Sequence, residues 1–90
     1  MRIQVKNSHI RSGLSFDGEK CPVALAMREA LPQFPHLAVG KTTWREYSLW
    51  NAPKHELPDI VCQFIQQYDN NLVVQPFSFD IEEELFNENT

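Results

Sequence analysis

Long apolar runs are missing from this chain of 90 residues. The longest, residues 21–27, has seven, whereas a membrane-spanning helix needs about 20, so no membrane segment is expected. Cysteine is scarce as well. Cys21 and Cys62 stand alone, outside any Cys-x-x-Cys spacing. Two thiols are too few for a disulfide scaffold and suit a reducing compartment, so a cytoplasmic location is expected. Residues 1–6 alternate apolar and polar and lack the apolar stretch of a secretory leader. No Asn-x-Ser/Thr acceptor occurs. The three glycines, Gly13, Gly18 and Gly40, fit no phosphate-loop spacing. Zinc sites bring their ligands in pairs two to four residues apart. Cys21, Cys62 and the histidines His9, His36 and His55 contain no such pair, and neither a metal nor a cofactor is expected.

What is present is ordinary globular composition, 42% apolar and 22% charged. The length suits one domain, which hides only roughly 60–65% of its unfolded surface. The net charge of −4 is unevenly placed. Residues 1–79 hold all eight bases and seven of the twelve acids, and residues 80–90 hold five acids and no base. The expected organisation is a single α+β domain over 1–82 and an acidic, frayed tail over 83–90. Glu82, Glu83 and Glu84 read as a solvated face. With no basic cluster in the folded part, a nucleic-acid partner is not expected.

Periodicity supplies the elements. Residues 2–6 alternate as a strand, with Ile3 and Val5 on one side and Arg2, Gln4 and Lys6 on the other. Residues 7–13 read as a single helical turn capped by Asn7 or Ser8 and ended by Gly13. Residues 16–20 form a polar loop with one aromatic, Phe16. Pro22 suits the first position of a helix capped by Cys21, and Pro32 stops it. That helix is apolar on nearly every side, as a buried helix is. A strand is predicted over 35–40 and a second over 42–50, rich in β-formers, followed by a turn at 51–55. A second helix is predicted over 58–68, with Ile60, Val61, Phe64, Ile65 and Tyr68 as its apolar stripe. The closing strand, 76–82, places Phe77, Phe79 and Ile81 inward.

The order is β-α-β-β-α-β. It predicts a small α+β fold of about four mostly antiparallel strands with two helices on one face, ferredoxin-like or with a related strand order. Arg2 and Lys6 on the first strand and Asp80 and Glu82 on the last favour pairing of those two strands.

The segment Cys21-Pro22-Val23-Ala24-Leu25-Ala26, with Leu57-Pro58, Phe64-Ile65, Tyr68-Asp69 and Pro76-Phe77-Ser78-Phe79, resembles a loose group of small proteins from bacteria and their phages. The pattern of that group is a short N-terminal strand, a Cys-Pro-x-Ala-Leu-Ala helix, a middle hairpin, a Leu-Pro helix start and a closing Pro-Phe-x-Phe strand. The similarity spans roughly residues 3–82. It implies no reaction, no cofactor and no established partner. The long aromatic middle segment and the acidic tail depart from the pattern.

Two places could carry function. A thiol at a helix N-terminus is activated by the dipole, so Cys21 is a candidate nucleophile if His9, His36 or His55 serves as its base. The alternative is that Cys21 caps the helix and packs in the core, as Cys62 is expected to pack. Trp44, Arg45, Tyr47 and Trp50 form the second candidate. They are core residues, a protein-contact patch of the kind rich in Trp, Tyr and Arg, or a base-stacking platform. The basic–Gly–aromatic run of RNA-recognition sheets is absent from residues 41–47. The leading expectation is a small non-enzymatic accessory or interaction protein. It would bind another protein, or itself as a homodimer, through the aromatic segment or the open sheet face. The alternatives are a thiol-dependent or redox-sensitive protein using Cys21, and an anion- or nucleotide-binding module at the Cys21-Pro22 helix start.

Overall fold

The alternation at the N-terminus and the Phe-x-Phe at the other end of the chain meet in space. The computed structural model describes residues 1–47 and 52–81. In it β1 (Arg2–Val5) pairs antiparallel with β5 (Phe77–Asp80), Arg2 opposite Asp80 and Ile3 opposite Phe79. Arg2 Nε lies 3.4 Å from Asp80 Oδ1, and an exposed pair of this kind contributes at most about 1 kcal/mol. The ladder runs one residue further. The Met1 amine donates to Ile81 O, and Ile81 N–H donates to Met1 O, both at 2.9 Å. Ile3, Val5 and Phe79 face the core.

The turn after β1 is helical, α1 (Asn7–Ser12), but its cap is Lys6 rather than Asn7 or Ser8. Lys6 N–H donates to His9 Nδ1 at 2.9 Å, so an imidazole does what a capping carboxylate usually does. With Nδ1 accepting, the neutral ring donates from Nε2, and the acceptor is Glu29 Oε2 at 2.6 Å. The second long element is α2 (Pro22–Ala30), with Pro22 in the first turn and Cys21 as cap. Its Pro22, Val23, Ala24, Ala26 and Met27 are buried. Glu29, on the exposed side of α2, thus ties α1 to α2, with Lys6 Nζ at 3.3 Å from its other oxygen.

The His9 and Lys6 bonds hold the Glu29 carboxyl below its ordinary value. A depressed carboxylate stabilises the fold above its unfolded pKa, and that contribution is lost as pH falls through the folded value. Glu29→Gln should therefore lower the urea midpoint at pH 7, and the gap from the unaltered protein should close below about pH 4. A gap that persisted at pH 3 would remove the His9–Glu29 pair from the account.

The middle of the chain forms a second sheet in the order β2-β3-β4, all antiparallel: β2 (Leu37–Val39), β3 (Thr43–Glu46) and β4 (His55–Glu56). Leu37, Val39, Trp44 and Glu46 are buried on one face. Ala38, Thr43 and Arg45 are half-buried on the other. The fold is α+β, with three helices and two small antiparallel sheets among the described residues. The single four-stranded sheet expected from the element order is thus corrected to two. In a ferredoxin-like order β1 would pair with the strand now called β3. Here β3 has no free edge, because β4, from a segment expected to be a turn, takes its second side.

The last helix is α3 (Asp59–Asp69), with Pro58 as cap rather than first helical residue. Val61, Phe64 and Ile65 are buried, but Ile60, expected in the same stripe, is 52% exposed. Tyr68 Oη donates to Ile10 O at 3.0 Å and joins α3 to α1. A single apolar cluster draws on both sheets and the long helices, with Ile3, Met27, Leu37, Trp44, Val61 and Phe79 among its members. No helix among the described residues is long and apolar enough to cross a membrane.

Candidate functional site

The loop between α1 and α2 is built like a clasp. Asp17 Oδ1 accepts from the N–H groups of Glu19 and Lys20 at 2.9 and 3.0 Å, a side-chain-closed turn. Cys21 N–H donates to Asp17 O, and Leu14 N–H to Lys20 O, both at 2.9 Å. The clasp is then pinned on two sides. Ser15 Oγ donates to Tyr68 O, and Phe16 N–H donates to Asp69 Oδ1 at 2.9 Å, both at the end of α3. Val39 N–H donates to Gly18 O at 2.7 Å on the open edge of β2. A Cβ on Gly18 would stand 3.1 Å from Val39 O, so this close approach suits glycine.

Phe16 pays the conformational cost of this arrangement. Its φ is 58°, the left-handed region, which disfavours a non-glycine residue by roughly 1–2 kcal/mol. The side chain gains little burial in return, being 75% exposed. Beside it lies a groove of about 560 Å³ between the clasp, the β2–β3 turn and α3. Buried Cys21, Val39 and Ile65 line it, while exposed Phe16, Glu19, Lys41 and Tyr47 stand around it with half-buried Asp17 and Asp69. A second hollow of about 350 Å³ shares Phe16, Lys41, Ile65 and Asp69 with the first and adds Cys62.

The aromatic segment divides across the sheet. Trp44 is 2% exposed, with His55 and Phe34 at centroid distances of 4.6 and 6.3 Å. It is a core residue, and no partner can reach it in the folded chain. Tyr47 is 56% exposed. The Arg45 guanidinium sits 4.3 Å from the centre of its ring, a cation–π contact. Among the described residues Arg45 Nε is buried without a hydrogen-bond partner. Trp50 lies outside the described residues.

Cys21 sits in the cap position that the sequence suggests, its Sγ accepting from Ala24 N–H at 3.4 Å. The thiol is 5% exposed. Burial pushes its pKa up and outweighs the lowering by the Ala24 and Val23 amides. Among the described residues no hydrogen bond joins Cys21 to a histidine, and the His9 ring is engaged by Lys6 N–H and Glu29. The surroundings are those of a packed thiol. Iodoacetamide at pH 8 should therefore modify half-buried Cys62 first and reach Cys21 only in denaturant, as peptide mass mapping would show. Rapid native labelling of Cys21 would revive the nucleophile reading. The helix start is also ill-suited to an anion. Pro22 has no N–H, Ala24 N–H is bound to sulfur, and Asp17, Glu19 and Asp69 line the adjoining groove.

Among the described residues no group of three His, Cys, Asp or Glu side chains is placed to hold a metal ion. Phe16 and Asp69 are the site residues that sequence reasoning passed over. The available signal was a lone aromatic between Ser15 and Asp17-Gly18 in an otherwise polar loop. Comparison of the chain with family models, curated proteins and solved structures gives no match.

Proposed function

We propose that the chain is a small non-enzymatic interaction module that binds another protein through the groove flanked by Phe16 and Tyr47. The observation that carries this reading is Phe16, an aromatic in a costly backbone conformation, its N–H tied to Asp69 and its ring exposed beside an apolar hollow. Strained, over-determined residues concentrate at binding sites, and aromatic anchors dominate interface energetics. Tyr47, braced by Arg45, supplies a second ring on the groove. The Cys21 thiol reading is weaker, because the sulfur is buried and engaged in the cap.

Affinity capture with the purified chain, beside a Phe16→Ala/Tyr47→Ala variant, tests the reading. Both rings are exposed, so the variant should melt within a few degrees of the unaltered chain while losing roughly 100-fold or more in affinity for any specific partner. A partner retained undiminished by the folded double variant would overturn the groove as the binding site.

A further inference from the structure

The groove's charge says what should enter it. Residues 1–81 contain eight carboxylates and eight bases, so this part of the chain is neutral as a whole. Three of those carboxylates, Asp17, Glu19 and Asp69, line the groove, against one base, Lys41. Of the other five, three are engaged by groups of their own. Glu29 is bonded to His9 and Lys6, Asp80 pairs with Arg2, and Glu46 is buried against His36 N–H. The groove therefore carries an excess of carboxylates over Lys41 and the neighbouring Arg45, with a buried apolar lining and two exposed rings, Phe16 and the Arg45-braced Tyr47.

We infer that the occupant is an extended segment of a partner protein that sets a lysine or arginine beside an apolar side chain. This rests on the reading of the groove as a protein-binding site. The cation would meet the carboxylates and the Phe16 ring, and the apolar neighbour would cover Val39 and Ile65. A β-strand added to the sheet is not the mode. The open edge of β2 is already closed by Gly18 O on Val39 N–H, Phe34 O on Leu37 N–H, and Arg28 on Leu37 O. Recognition would fall to side chains in the groove. A nucleic acid would bring its phosphates to an acidic rim, which like-charge repulsion opposes.

The test uses the full chain labelled with ¹⁵N and two capped peptides, Lys-Leu-Lys-Leu-Lys and Glu-Leu-Glu-Leu-Glu. The lysine peptide should shift the amide signals of Phe16, Gly18, Gly40 and Tyr47 saturably, and the glutamate peptide should leave them in place. Glu19 is exposed and its carboxylate closes no turn, so Glu19→Lys should keep the fold and weaken the lysine peptide roughly three- to tenfold. Lys41→Glu should strengthen it by a similar factor. The opposite sign of the second variant guards against a fold defect in the first. Equal binding of both peptides, no saturable shift with either, or displacement of the lysine peptide by oligo(dT) acting at the same amides would overturn the inference. A captured partner that depends on Phe16 and Tyr47 but ignores charge at positions 19 and 41 would sink this inference alone. A lysine peptide that binds while the captured partner ignores Phe16 and Tyr47 would sink the proposed function.

Discussion

Trp44→Ala is expected to cost about 3–5 kcal/mol, the range for truncating a buried large aromatic. A chain this size has only about 0.05–0.15 kcal/mol of stability per residue, so the loss is a large share of the total and the urea midpoint should fall steeply. The magnitude follows from position. Trp44 is buried on the inner face of the central strand of the three-stranded sheet, opposite both Val39 and His55. Its ring is shared by Phe34 from the loop after α2 and by His55 from β4. An alanine there leaves a cavity that a two-residue edge strand cannot close. Tyr47→Ala, three residues on but exposed, should lie within about 1 kcal/mol of the unaltered protein. Urea denaturation of both variants checks the contrast. A Trp44→Ala protein that unfolds near the original midpoint would mean that the ring packs loosely and the sheet is held by something else.

Gly13→Ala is the second large effect, and two opposed terms decide it. The backbone at Gly13 is extended, with φ −76° and ψ 166°, a conformation alanine adopts without strain. Reducing the entropy of the unfolded chain would then favour alanine by about 0.4–1 kcal/mol. Against this, a Cβ at that position would stand 2.8 Å from Pro22 Cδ and 2.9 Å from both Pro22 Cγ and Pro22 N. A proline ring cannot rotate aside, and its nitrogen belongs to the backbone that starts α2. Moving it disturbs the Cys21 cap and the buried face of the helix. Overpacking of this kind costs about 1–3 kcal/mol, so the clash wins and Gly13→Ala is destabilising. A double-mutant cycle with Pro22→Ala should show coupling, because removing the ring relieves two of the three close contacts. A stabilised Gly13→Ala protein would show that the α1–α2 junction yields more easily than its packing suggests.

These two positions also show what was legible in the chain and what was not. Gly13 reads as the end of a helical turn, and it is: its N–H donates to His9 O at 2.9 Å. The need for glycine there, however, comes from Pro22, nine residues away, and no local pattern carries that. Trp44 stands in a segment where apolar and polar residues mix on both faces, so periodicity could not say which face is covered. The answer came from packing. The face with Trp44 and Glu46 is inside and the face with Arg45 is outer. Glu46 is buried because its carboxylate holds His36 N–H at 2.8 Å, a compensation for burying a polar group that the sequence does not announce.

The sequence by itself determined the α+β class, α2 between its two prolines and α3 by its apolar stripe, and it favoured the pairing of β1 with β5 through alternation and opposite charge. Each depends on interactions within one element or between two regular ones, where spacing maps directly onto a face. The tertiary structure decided the rest. It split the strands into two sheets, because a two-residue strand at His55–Glu56 filled the free edge of β3. It buried Trp44 and Cys21, and it turned Phe16 outward over an acidic groove. Those outcomes depend on which surfaces meet across long stretches of chain, and a residue's exposure is set by what covers it rather than by its own type.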